Sequence, residues 1–109
     1  MRKLLNEEII IICNNIIDTL LYDTTKSHYL CIRFRTEISH YLPKPYLTTT
    51  SLSISEHIPE FTKENARKYG HSKILVKGTE ESSWWIYSNI HSRITFVNWI
   101  KQQYINKLQ

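Results

Sequence analysis

Three sets of side chains in this sequence could carry chemistry. They are five histidines (His28, His40, His57, His71, His91), two cysteines (Cys13, Cys31) and a pair of adjacent acids (Glu80, Glu81). Histidines and cysteines at helical or turn spacing would hold zinc, but no two histidines stand four residues apart and no Cys-x-x-Cys occurs. A cysteine beside a histidine would make a nucleophile. Cys31 lies among apolar residues, where burial raises a thiol's pKa and disfavours the thiolate; Arg33 and Arg35 act the other way. The acids Glu80 and Glu81 fall in GTEES, which reads as a solvated turn rather than as an acid/base pair. With only Gly70 and Gly78, no phosphate-cradling or dinucleotide-binding loop can be assembled. The expectation is a protein without catalytic residues, metal site or cofactor.

Binding chemistry is better represented. Between Thr62 and Lys77 the charged residues are Lys63, Glu64, Arg67, Lys68, Lys73 and Lys77, with Tyr69 and His71 interleaved. Arg33 and Arg35 form a second basic pair. Lysines and arginines meet backbone phosphates, and aromatic rings stack on unpaired bases, so these seven cations are the candidate nucleic-acid-facing residues. A charge run of this size also serves simply as a solvated face. The net charge of +4 permits a polyanionic partner without requiring one.

The third feature is SWWIY. On a strand, Trp84 and Ile86 would share one face and Trp85 and Tyr87 the other. Tryptophan, tyrosine and arginine are enriched where binding energy concentrates, so Trp85, Tyr87 and Arg93 form a candidate partner-binding patch. The alternative places both tryptophans against the terminal helix.

The elements that must position these residues follow from hydrophobic spacing. Ile9, Ile12/Cys13, Ile16/Ile17 and Leu20/Leu21 recur at three and four residues, which predicts a helix over about 6–22, with Asn6 as its cap and Glu7 and Glu8 at its positive end. Ile10 and Ile11 widen the stripe, so more than one side should be covered. Residues 28–42 alternate like a strand at Leu30, Ile32 and Phe34, yet fit a helix at Leu30/Cys31, Phe34, Ile38 and Tyr41/Leu42; fifteen residues without Gly or Pro favour helix. The prolines of PKPYL and the Thr/Ser run make 43–55 a loop, and the best candidate for a mobile segment. A helix over about 59–69 would start at Pro59 and stop at Gly70. KILVK and SWWIY would pair as a hairpin over 73–87. A last helix over about 89–108 carries Ile90, Ile94, Val97, Ile100, Tyr104 and Leu108, with Phe96 and Trp99 on a neighbouring face. The expected class is α+β and α-rich: one domain over 1–109, with three to four helices and a small two-stranded β element.

No apolar run is long enough to cross a bilayer, and IIIIC at 9–13 is interrupted too soon by polar residues to be a secretion signal. Two isolated cysteines suit a reducing compartment, so a cytoplasmic location is expected. Sixteen isoleucines against one alanine suggest AT-rich codons, hence a bacterial or viral genome.

The order of short motifs resembles that of small uncharacterised proteins carried by phages and prophages. Those place a Leu-Cys pair at a helix start (Leu30–Cys31), then an S-x-x-E/D start (Ser53 to Glu56). An aromatic doublet (Trp84–Trp85), an arginine (Arg93) and a hydrophobic lead into the last helix (FVNWI) follow. The resemblance implies an anti-defence factor such as an anti-CRISPR protein, acting stoichiometrically in the host cytoplasm on an RNA-guided CRISPR effector nuclease or its guide-RNA complex. Two other expectations remain open. One is a sponge for a nucleotide immune signal, with Arg33, Arg35 or Arg93 on phosphates. The other is an RNA- or DNA-binding accessory protein. Monomer and homodimer are both compatible; an exposed Phe96 or Trp99 would drive the dimer.

Overall fold

The computed structural model describes residues 3–26, 29–42, 54–69 and 90–109. Five helices run through them: α1 (Asn6–Tyr22), α2 (Leu30–Ser39), α3 (Ile54–His57), α4 (Lys63–Tyr69) and α5 (Ile90–Lys107). Helix accounts for 76% of the described residues and no strand occurs among them. This corrects the α+β expectation to an all-helical one. The β element was inferred from short apolar runs, which periodicity alone cannot tell from buried helix. The core of the described residues is closed by helix faces and the turns beside them, with no sheet layer. The hairpin expected at 73–87 and the loop residues 43–53 lie outside the described residues.

α1 begins at Leu5, which is extended (φ −77°, ψ 154°), and the Glu8 carboxylate accepts the Leu5 backbone N–H at 2.9 Å. Asn6 is therefore already helical rather than the cap, and the acid three residues on takes the capping role. Glu7 and Glu8 also complement the positive end of the helix dipole. The helix ends at Asp23, whose Oδ1 accepts the Thr25 N–H at 2.9 Å and so turns the chain. Ile9, Ile12, Cys13, Ile16 and Leu20 are buried, and α1 packs against both α5 and α2. Of the two isoleucines that widen the stripe, Ile10 is half-buried and packs against the core, whereas Ile11 is 46% exposed.

Residues 30–39 are helix, and one residue decides against the strand. A strand would bury Ile32 with Leu30 and Phe34, but Ile32 is 43% exposed while Leu30, Cys31, Phe34 and Ile38 are buried on one helical face. Asn15 Nδ2 donates to Glu37 Oε1 at 2.9 Å and ties the middle of α1 to the end of α2.

The helix expected from Pro59 starts four residues later. Thr62 Oγ1 accepts the Asn65 N–H at 3.1 Å, the arrangement of a threonine N-cap. Pro59 and Glu60 form a turn between α3 and α4, which Asn65 Nδ2 closes by donating to the Glu60 carbonyl at 3.1 Å. Ile54 and Ser55, expected in a loop, belong to the single turn of α3. The buried face of α5 is Arg93, Phe96, Val97, Ile100 and Tyr104, and Ile90 and Leu108 are 42% and 49% exposed. The stripe is thus turned toward Phe96. At 1% exposure this ring belongs to the core and offers nothing to a homodimer.

Candidate nucleic-acid interface

The basic residues of α4 stand at one edge of the bundle, where α4 packs on α5. Arg67 and Lys68 are exposed and Lys63 is half-buried. Neither Lys63 nor Arg67 has an ion pair among the described residues, although Glu64 is on the same short helix. The Lys68 ammonium lies 5.3 Å from the centre of the Tyr69 ring. Thr62, Lys63, Glu64 and Arg67 line a shallow depression of about 410 Å³. Arg67 and Lys68 occupy the last turn of α4, where cations also complement the helix dipole, so the helix is stabilised by the charges it displays.

A ladder of aromatic rings supports this edge. Phe34 and Phe61 meet at 4.9 Å between ring centres, and Phe61 and Phe96 at 6.0 Å. Phe96 and Trp99 lie 6.0 Å apart and within 13° of parallel, and Trp99 stacks on Tyr69 at 3.9 Å and 9°. The three phenylalanines are buried; Trp99 and Tyr69 are half-buried. Tyr69 and Trp99 are thirty residues apart and on different helices, so spacing gave no sign that they stack.

Of the other predicted cations, Arg33 and Arg35 are described. Arg33 and Arg35 are on α2, where residues two apart point about 200° away from each other, so they do not act as a pair. Arg33 is half-buried and its Nε is shielded with no hydrogen-bond partner among the described residues; Arg35 is half-buried as well. Arg93 is 7% exposed, with its guanidinium 5.8 Å from the Tyr29 ring centre. Burial holds its pKa below the usual arginine value, against the favourable influence of Tyr29. Arg93 is thus buried in α5 against Tyr29, the residue before α2, with little of its side chain exposed. Lys73, Lys77, Trp85 and Tyr87 lie outside the described residues.

A second polar cluster, which the sequence did not reveal, anchors the end of α5. Tyr104 donates to Glu60 Oε1 at 2.5 Å, and Lys107 Nζ is 3.3 Å from Glu60 Oε2 and 4.0 Å from the Tyr104 ring centre. Burial disfavours the Glu60 charge, but the hydrogen bonds from Tyr104, from the backbone at Glu60 and from Lys107 outweigh it and hold the carboxyl below the usual range. Burial and the same bond raise the Tyr104 pKa. Glu60 is a clamp between the α3–α4 turn and α5. Next to it, a groove of about 520 Å³ runs between the start of α1, α3 and the end of α5, with Leu4, Ile9, His57, Tyr104 and Lys107 among its lining.

Both cysteines are free thiols in the core. Cys13 is fully buried, and burial pushes its thiol up to about 12. Cys31 is buried at the start of α2. Among the described residues no group of three or more His, Cys, Asp or Glu is placed to hold a metal ion, and no helix is long and apolar enough to cross a membrane. No family model matches this chain, and no curated protein or solved structure shows significant similarity to it.

Proposed function

We propose that this protein is a stoichiometric inhibitor of a bacterial defence system, and that it meets the RNA-bearing surface of an RNA-guided nuclease with the basic face of α4. The observation that carries the reading is the state of Lys63, Arg67 and Lys68. Three cations share a seven-residue helix, two are exposed, and neither Lys63 nor Arg67 is neutralised by a carboxylate among the described residues. Such groups attract phosphate oxygens and release counterions on binding. The motif order that resembles phage proteins supplies the class of target. Inhibition by occupancy needs a rigid surface and no reacting group, and the Glu60–Tyr104–Lys107 clamp supports such rigidity by fixing the turn before α4 to α5.

Capture with tagged protein from lysate of a host carrying an RNA-guided nuclease tests this, with and without ribonuclease. The expected result is one large nuclease in stoichiometric amount, lost after ribonuclease. Capture of nucleic acid alone contradicts the inhibitor reading and favours a plain nucleic-acid-binding protein. Recovery of neither protein nor nucleic acid contradicts both.

A further inference from the structure

The aromatic ladder leaves the core and ends beside the cations. Its inner rings, Phe61 and Phe96, are buried; its outermost ring, Tyr69, is half-buried and belongs to the same turn as Arg67 and Lys68. Trp99 lies against Tyr69 at 3.9 Å and 9°, which fixes the plane of the tyrosine ring. From this arrangement we infer that Tyr69 is a stacking platform for one unpaired RNA base, with Lys68 holding a neighbouring phosphate. The inference rests on the reading of α4 as RNA-facing and specifies the form of the ligand.

The chemistry has three parts. A base gains most from a ring already held in place, because no side-chain freedom is lost when it stacks; Trp99 provides that restraint. The neighbouring ammonium, 5.3 Å from the Tyr69 centre, is on a flexible stem and can exchange its contact with the ring for a phosphate oxygen. A ring platform accepts any base, since every base has a π face, but it cannot reach a base stacked inside a duplex. The site should therefore distinguish strandedness rather than sequence.

The test uses the full chain and a short fluorescein-labelled RNA, single-stranded or annealed to its complement, with affinity read by anisotropy. The single strand should bind more tightly than the duplex. Tyr69→Leu should weaken single-strand binding on the order of tenfold to a hundredfold and leave duplex binding unchanged, while Tyr69→Phe retains the parent affinity. Photocrosslinking of the unmodified protein to 5-iodouracil RNA avoids any effect of substitution on folding, and the adduct should map to Tyr69. Equal affinity for both RNAs, or adducts mapping only elsewhere, overturns the platform. If Tyr69→Leu then binds like the parent while Arg67→Gln/Lys68→Gln loses affinity, the RNA-facing reading of α4 stands without it. Absence of binding to either RNA overturns both.

Discussion

Replacing Tyr104 by phenylalanine removes one oxygen and keeps everything else at the junction of α5 with the α3–α4 turn. The ring is 4% exposed and should remain packed, and Lys107 can keep its position 4.0 Å from the ring centre. What is lost is the hydroxyl's 2.5 Å bond to the Glu60 carboxylate. A hydrogen bond to a charged group contributes about 1.5–3 kcal/mol. The Glu60 side chain retains 19% exposure and can be rehydrated, which places the expected loss at or somewhat below the lower end, about 1–2 kcal/mol. Lys107, 47% exposed, cannot compensate, because such surface pairs contribute at most about 1 kcal/mol. Urea titration at neutral pH should show this loss with an unchanged slope. Thermal melting should fall by roughly 4–10 °C, using the usual relation for a small domain.

Acidity gives the same prediction a second readout. The folded pKa of Glu60 is depressed, so its contribution is fully present above the unfolded carboxyl value of about 4.3 and is lost as pH falls through the folded value. Tyr104→Phe returns the folded pKa toward that of the unfolded chain. The gap between parent and variant should therefore be widest at neutral pH and close below about pH 4. A variant as stable as the parent at pH 7, or a gap that does not narrow in acid, refutes the assignment of Glu60 as the clamp.

Two further predictions concern the positioning of α4 and the core. Thr62→Ala should cost about 0.5–2 kcal/mol in urea unfolding by removing the cap on the Asn65 N–H, and Thr62→Ser should restore most of it. Cys13, fully buried and with its thiol pushed up to about 12, should resist iodoacetamide at pH 8 in the native protein and react in urea, as read by mass spectrometry.

Helix α1 was legible in the sequence because its apolar spacing, acidic first turn and terminating Asp23 agree with one another. Its cap was misplaced by one residue, since a leucine whose N–H is satisfied by Glu8 leaves no mark in residue type. The region around Leu30 was ambiguous because its apolar residues satisfy both periods; only the exposure of Ile32 separates them. Pro59 suggested a helix start from its fixed φ, but the cap at Thr62 and the Asn65 bond to the Glu60 carbonyl form a turn there. The basic character of α4 could be read directly, because charge is a property of composition. What could not be read was partnership across distance. The Tyr69–Trp99 stack and the Tyr104–Glu60 bond join residues thirty and forty-four positions apart. Arg93 looked like a surface anchor until the burial of its turn of α5 placed it against Tyr29.

The salt dependence of RNA binding tests most directly whether α4 meets phosphate. If Lys63, Arg67 and Lys68 each neutralise one phosphate of a single strand, the logarithm of the affinity should fall with the logarithm of salt at a slope of about −2. That is roughly a twentyfold loss between 50 and 200 mM. With Arg67→Gln and Lys68→Gln together, which add no negative charge at the helix end, one cation remains and the loss should shrink to roughly threefold. A parent slope near −2 that falls to about −0.7 in the double variant is the predicted result. The same steep slope in both proteins contradicts the account and places the RNA contact on other residues.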